Sequence, residues 1–356
     1  MLSKSAAPNS FLLNFPKVEK NNYDWTCIQI NKGASGEKLI FTGINKNNNK
    51  DILFIKQIEI DEGKINNEDF IHILNEFYIT LKFKEKNYFL KNIYGSLSND
   101  EKYVYLIIKE DVIPLNFLIT SRKFDYLKDN QLPKWIIYQI TYSLYILHSN
   151  KIIHNDIKPT NILINNEGRA SLYGFNSATF KGEECYEFTL PYASPEILND
   201  NVKADEKMDM WGLGLIILEL YKKKYQIFKR ENINDKKEQL NYILTIYGIK
   251  ENNSLDDYKK ILNNENNNNY QIDKKISEDI KDKEVLYLIN KLLSLNPKDR
   301  LTAKEVLDSD YLKEFKGIDS FDNDNGDIEK PFYYKEISEK KINKVIFIDL
   351  IKKMII

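Results

Sequence analysis

The eight residues His154-Asn155-Asp156-Ile157-Lys158-Pro159-Thr160-Asn161 set an imidazole, a carboxylate, an ammonium and two carboxamides side by side. Groups of those kinds at such spacing serve acid–base chemistry or the handling of an anion, unless they merely make a polar loop. A second candidate is Gly33-Ala34-Ser35-Gly36. Backbone N–H groups between two such glycines can approach a phosphate, and a plain β-turn explains the pair equally well. Other chemistries find little support. Cys27 and Cys185 lie far apart with no CxxC pair, which argues against a disulfide framework or a structural zinc site and fits a reducing compartment. Of the three histidines, His72 and His148 have no second ligand at a metal-binding spacing, and His154 belongs to the polar loop.

Elements that would position these groups are legible along the chain. Cys27–Ile30, Lys38–Phe41 and Ile52–Ile58 are rich in β-branched and aromatic residues and are separated by Gly- and Asn-rich turns, so strands are predicted. Glu68–Leu81 carries apolar residues at Ile71, Leu74, Phe77, Tyr78 and Leu81, a helical spacing. Tyr103–Ile108 reads as a further strand. From Leu132 onward the pattern turns helical, first through Ile136, Ile140, Leu144 and Leu147 with Pro133 near the start. Trp211–Tyr221, Lys237–Tyr247, Glu284–Leu293 and Thr302–Leu307 continue it. The order predicts an α+β chain: a small β-rich lobe with one helix, a larger helical lobe, and a crevice between them suited to a ligand.

Composition narrows the classes. At 356 residues the chain exceeds the usual single-domain size, and 42% hydrophobic with 29% charged residues is globular usage. Lys+Arg at 52 against Asp+Glu at 53 leaves a net charge of −1, so no bulk attraction to nucleic acid or an anionic membrane is expected. The apolar run Phe11–Phe15 is too short for a signal-peptide core, and Met210–Leu220 is too short to span a bilayer. These features predict an intracellular protein, cytoplasmic or nuclear. The Asn runs at Asn47–Asn49 and Asn266–Asn269 read as solvated loops, and no internal repeat is evident.

The loop His154–Asn161 resembles the catalytic loop of the eukaryotic protein kinase family, H-R-D-L-x-x-x-N. The resemblance implies that Asp156 orients and accepts the proton of an attacking hydroxyl, that Lys158 neutralises charge on the transferring phosphoryl as in Ser/Thr kinases, and that Asn161 holds Mg²⁺. It extends to further landmarks. Ile55-Lys56 resembles the end of the V-A-I-K strand, making Lys56 the phosphate contact. Glu76, on the next helix, resembles its ion-pair partner, unless it is a solvated helix charge. Ser194-Pro195-Glu196 is similar to A-P-E, Arg300 to the Arg that pairs with that Glu, and Asp209–Gly214 to the anchoring D-x-W-x-x-G helix. Asp24 to Leu312 is covered. ATP and Mg²⁺ are the implied cofactors. Lys237–Ile249 is similar to a segment of the cyclin-dependent kinase group, and no subgroup is assigned from it.

The same comparison exposes departures. The D-F-G triplet is Gly174-Phe175-Asn176, so the carboxylate that should hold Mg²⁺ between the β- and γ-phosphates is missing and Asn161 alone remains as a metal ligand. Losing one electrostatic stabiliser costs on the order of 10²–10³ in rate in other enzymes. Glu183 and Glu184 lie further along and would have to swing in to substitute. In the phosphate cradle Gly33 and Gly36 persist, while Asn31 replaces the first Gly and Lys38 the Val that caps adenine. Phe54 replaces the Ala of V-A-I-K; it either fills the adenine slot or rotates aside, leaving Lys38 to cover the base. Asn155 replaces the Arg of H-R-D, which removes the bidentate contact to a phosphorylated activation segment. Thr179, Tyr186 and Thr189 still make that segment modifiable.

The expected organisation is an extension over 1–22, a kinase-like N-lobe over 23–112, a C-lobe over 113–315, and an acidic linker with an amphipathic helix over 316–356. The tail, with Ile337, Ile342, Val345, Ile346, Ile348, Leu350, Ile351 and Met354, packs on the domain, docks a protein partner or lies on a membrane surface. The sequence therefore predicts an inactive Ser/Thr protein kinase acting as a scaffold or allosteric partner of other proteins, with a divergent kinase of low activity as the alternative.

Overall fold

Strand β1 (Tyr23–Gly33) turns back as β2 (Gly36–Asn45), which pairs with β3 (Ile52–Glu59); both pairings are antiparallel and Gly33 faces Gly36 at the hairpin end. The computed structural model describes residues 23–33, 36–48, 52–60, 67–84, 88–89, 93–98, 100–121, 131–185, 187–199, 203–249, 254–263, 272–318 and 344–355. Helix α1 (Asn67–Phe83) follows, then β4 (Ile93–Leu97) and β5 (Tyr103–Ile108). The sheet runs β1-β2-β3-β5-β4. Leu53 through Ile58 are buried on both faces of β3, as a central strand between a sheet neighbour and a helix requires. Phe70, Ile73, Leu74 and Phe77 recur at i, i+3, i+4 and i+7 of α1 and are all buried.

The larger lobe begins with β6 (Val112–Pro114), the short α2 (Leu115–Ile119) and the long α3 (Gln131–Ser149). Short strands β7 (Ile152–Ile153), β8 (Ile162–Asn165), β9 (Ala170–Leu172) and β10 (Thr179–Phe180) carry the loops of interest, in sheets ordered β6-β8-β9 and β10-β7. Helices α4 (Pro195–Leu198), α5 (Glu206–Lys222), α6 (Lys236–Ile246), α7 (Ser254–Leu262), α8 (Lys274–Ser277), α9 (Lys283–Leu292) and α10 (Ala303–Leu307) complete it. The chain is thus α+β, a β-sheet lobe above a helical lobe. Among the described residues no helix is long and apolar enough to cross a membrane.

Helix α5 starts at Glu206, five residues before the predicted Trp211. Asp205 caps it by accepting from the Lys207 N–H, and its polar first turn hides the start from an apolar periodicity. Every residue from Met208 to Leu220 is buried, so α5 is the central post of the lower lobe. Gly212 lets that post approach the polar loop: a Cβ there would stand 2.7 Å from Ile157 Cβ.

The linker of the predicted tail, with Ile337 and Ile342, lies outside the described residues. The last helix, α11 (Lys344–Ile355), lies against α1 and β4. Its Phe347, Ile348, Leu350 and Ile351 belong to the apolar cluster of the upper lobe.

Candidate active site

Lys56, on β3, extends toward α1, and its Nζ lies 2.5 Å from Glu76 Oε1 and 2.7 Å from Oε2. Both residues are buried, Glu76 completely. Glu76 is therefore no solvated helix charge. A charge-assisted bond to each carboxylate oxygen offsets part of the cost of burying two charges.

The polar loop is anchored from below. Asp209 of α5 accepts backbone N–H bonds from His154 and Asn155, at 2.8 Å each, and lies 2.9 Å from His148 Nε2. These bonds hold Asn155 at φ 63°, a left-handed conformation that Asn tolerates better than most residues. The Asn155 side chain donates to the Ser177 carbonyl at 3.0 Å, so it ties the loop to the Gly174–Ser177 segment instead of presenting a charge. His154 Nδ1 accepts from the Asp156 N–H, which leaves its Nε2 to donate to the Tyr173 carbonyl at 3.1 Å. Burial pushes the imidazole pKa down against the pull of Asp209 and Asp156, in keeping with this neutral tautomer.

Asp156 is the hub. Its Oδ2 receives Lys158 Nζ at 2.5 Å and Asn161 Nδ2 at 2.9 Å, and its Oδ1 receives the Thr189 hydroxyl at 2.6 Å. Lys158 also donates to Thr189 Oγ1 at 2.5 Å. Burial alone would raise the Asp156 pKa, but the Lys158 ammonium and the Thr189 hydroxyl outweigh it and hold the carboxyl below its usual value. The structure thus brings together the predicted Asp156, Lys158 and Asn161 and adds Thr189, which sequence reasoning named only as modifiable. An ordered proton acceptor beside a cation is suited to activating a hydroxyl.

Gly174 sits at φ 82°, directly before the one-turn helix Phe175–Ser177. Phe175 is buried against His154, ring centroids 5.0 Å apart, and stacks on Phe89. An ideal Cβ on Gly174 would lie 2.7 Å from Asn161 Oδ1, so the Asn161 amide fills the space a side chain at 174 would need. The residues here fit a divalent cation poorly. Asp156 is already satisfied by three donors, and among the described residues no group of three or more His, Cys, Asp or Glu could hold a metal. Glu183 accepts from Thr179 and Glu187 from Asn176.

Toward the sheet, Phe54 and Lys56 lie two residues apart on one face of β3. Phe54 is 4% exposed and meets the Tyr173 ring edge-on at 6.4 Å, while Lys56 Nζ stands 5.6 Å from the centre of the same ring. Tyr173 is buried, and its hydroxyl has no hydrogen-bond partner among the described residues. Burial, with Glu76 nearby, drives its pKa well above the ordinary phenol value. Phe54, Leu163 and Tyr173 share one apolar cluster, so packing runs unbroken across the lobe boundary. Tyr173 was not singled out from sequence; its place directly before Gly174 was the available signal. Gly33 and Gly36 close the β1–β2 hairpin, and residues 34–35 between them lie outside the described residues, as do the side chains of Asn31 and Lys38.

Below, Arg300 pairs with Glu196 through two bonds of 2.6 and 2.7 Å, both groups buried.

Residues 28–312 match the family described as protein kinase domain. The chain is 28% identical over 236 residues to the mitogen-activated protein kinase HOG1 of Colletotrichum orbiculare, covering 64% of this chain and 62% of that one. It is 28% identical over 220 residues to the mitogen-activated protein kinase pmk-1 of Caenorhabditis elegans, covering 58% and 56%. It therefore spans less than two thirds of the length of these relatives. Since the match runs from β1 past α10 and takes in the Lys56–Glu76 pair, the Asp156 loop and the Glu196–Arg300 pair, the chain belongs to the eukaryotic protein kinase family.

Proposed function

We propose that this member of the protein kinase family is impaired in phosphoryl transfer and acts on other proteins as a scaffold or allosteric partner inside the cell. Gly174 carries the reading. Phosphoryl transfer relies on positioning and charge neutralisation, and the position that would supply the second metal ligand has no side chain and no room for one beside Asn161. The apolar packing of Phe54 with Tyr173 supports the same reading, because Phe54 stands where the family keeps a small Ala in the ceiling over the adenine. ATP and Mg²⁺, the family's cofactors, are then weakly held or excluded, and the roles of Lys56, Glu76, Asp156, Lys158 and Asn161 become structural. Gly33 and Gly36 serve a hairpin instead of a phosphate.

A second reading has a specific observation behind it. The Lys56–Glu76 pair and the Asp156–Lys158–Thr189 network are assembled, and the relatives are mitogen-activated protein kinases. A divergent Ser/Thr kinase that transfers the ATP γ-phosphate to protein hydroxyls slowly, with a cation held through Asn161, would keep both. Incubation of the full chain with radiolabelled ATP, Mg²⁺ and a generic protein acceptor separates the two, alongside thermal shift with and without nucleotide. Absence of both label and shift supports the first reading. Label that Asp156→Asn abolishes establishes the second, and a shift without label means nucleotide binding without transfer.

A further inference from the structure

Phe54, Lys56 and Ile58 turn one face of β3 toward α1, as the Lys56–Glu76 pair shows. Leu53, Ile55 and Gln57 alternate with them and lie on the other face of the sheet. In register beside them stand Gly43 and Phe41 of β2 and Tyr105 and Ile107 of β5. Leu53, Ile55 and Tyr105 are completely buried, and Ile107 and Phe41 nearly so. Yet none of these five apolar residues belongs to either apolar cluster of the described residues. Helices α1 and α11 do not cover them, because both share a cluster with Phe54 and Ile58 on the opposite face. Gln57 is 5% exposed, and its Oε1 has no hydrogen-bond partner among the described residues. The face therefore needs a cover that brings apolar side chains and at least one N–H or O–H donor, and these residues offer no charge in return.

Two long stretches outside the described residues adjoin the upper lobe, 1–22 before β1 and 319–343 before α11. In the second, eleven of 25 residues are charged and the longest uncharged run is the four residues Pro331–Tyr334. Burying such charges on a face with no counter-charge is costly. Ser5–Pro16, by contrast, is twelve residues without a charge and carries Phe11, Leu12, Leu13 and Phe15. Phe15 precedes Tyr23, the first residue of β1, by eight residues. Eight residues extend up to about 26 Å. Crossing from β1 over β2 to β3 and β5 takes about 10–14 Å at the usual spacing of strands. We infer that Phe11–Phe15 is an intramolecular cover lying across the outer face of β3 and β5. Its apolar side chains rest on Leu53, Ile55, Tyr105 and Ile107, and one of its amide donors, backbone or Asn14, serves Gln57. The inference goes beyond the proposed function and stands whether or not transfer persists, since it concerns the sheet face turned away from Lys56.

Photo-crosslinking of the full chain tests the cover directly. A benzophenone side chain in place of Phe15 should attach, on irradiation, to the peptides that hold Leu53–Gln57 or Tyr105–Ile107 of the same molecule, as located by mass spectrometry. Attachment to a second copy, to the lower lobe or to no site would overturn the proposal. Thiol accessibility gives a second readout. Ile55→Cys in the full chain should react slowly with a maleimide, and roughly tenfold faster once Phe11→Asp, Leu13→Asp and Phe15→Asp are added. Phe332→Asp with Tyr334→Asp, in the other stretch, should leave the slow rate unchanged. An unchanged rate in the first variant, shown to be folded by circular dichroism, or a faster rate in the second would assign the cover to another segment and overturn the proposal.

Discussion

Gly174 and Asn161 compete for one volume: the missing Cβ of the first would stand 2.7 Å from the Oδ1 of the second. Asn161 has spent its amide on Asp156, donating to both its backbone and side-chain oxygens at 2.8 and 2.9 Å. Restoring a carboxylate with Gly174→Asp therefore costs more than an added side chain. Asn161 must swing away and lose those bonds, and an L residue must adopt φ 82°. The substitution is expected to destabilise the chain by about 1–3 kcal/mol. Pairing it with Asn176→Gly removes the further bond from Asn176 to Glu187. Urea midpoints of the single and double variants check this. Wild-type stability in Gly174→Asp would show that Asn161 yields freely and that the space is available.

Phe54 is the second obstacle to nucleotide. Phe54→Ala empties a site shared with Tyr173 and Leu163 and is expected to cost about 3–5 kcal/mol. It should also create binding of a fluorescent ATP analogue in the absence of metal. Fluorescence anisotropy reads this without any need for transfer. Binding by the unaltered chain equal to that of the variant would mean that Phe54 does not occupy the slot.

Thr189 closes the hub by donating to Asp156 and accepting from Lys158. Thr189→Val keeps the shape and removes both bonds, which should cost about 1–3 kcal/mol at neutral pH. The Asp156 pKa in the fold lies below its unfolded value of 3.8, so its contribution is present above that value and is lost as pH falls through the folded one. The variant moves the folded pKa toward 3.8. Its deficit against the unaltered chain is thus full at pH 7 and shrinks below about pH 4, which denaturation midpoints across acid pH would trace. A deficit independent of pH would mean that Thr189 acts through packing.

What could be read from the chain alone follows from what each feature depends on. Lys56, Glu76, Asp156 and Asn161 were legible through motifs that resemble those of the protein kinase family, and their mutual distances follow once the strand, helix and loop that carry them pack. The loss at Gly174 was equally plain, because an absent side chain needs no coordinates. Thr189 and Tyr173 were harder. Thr189 reaches Asp156 from 33 residues away along an irregular segment, and no periodicity encodes that approach. Tyr173 matters through contacts with Phe54 and Lys56 on a different lobe. The amphipathic pattern of the tail was visible, with packing on the domain favoured over a partner or a membrane surface, but not where on the domain it would rest. The choice of α1 and β4 depends on which apolar surface the upper lobe leaves uncovered.

Arg300 and Glu196 form a buried ion pair in the lower lobe. The guanidinium uses its fork on both carboxylate oxygens and gives its remaining donors to the Ser294, Lys207 and Leu295 carbonyls. Arg300→Ala strands a buried carboxylate and is expected to cost about 3–5 kcal/mol. Arg300→Lys should recover little, since an ammonium keeps the charge but cannot reproduce the planar fork. Near-complete recovery by Lys in chemical denaturation would show that charge alone matters here.

Glu219, 1% exposed on α5, should make stability depend on pH in the opposite sense to Asp156. Burial pushes its pKa up from 4.5 to about 7, in spite of bonds from the Ile227 N–H and the Tyr192 hydroxyl. Between those values the folded chain binds more protons than the unfolded one, so this group's contribution falls as pH rises through the window. The full penalty above pH 7 is roughly 3 kcal/mol. The Ile227 N–H reaches Oε1 and the Tyr192 hydroxyl reaches both Oε1 and Oε2, so Glu219→Gln with its carbonyl oxygen in the Oε1 place keeps an acceptor for each donor and cannot ionise. Relative to the unaltered chain the variant should gain stability from about pH 5 to pH 7 and level off above it. A difference that stays flat over that range would mean Glu219 is ionised throughout it in the folded chain.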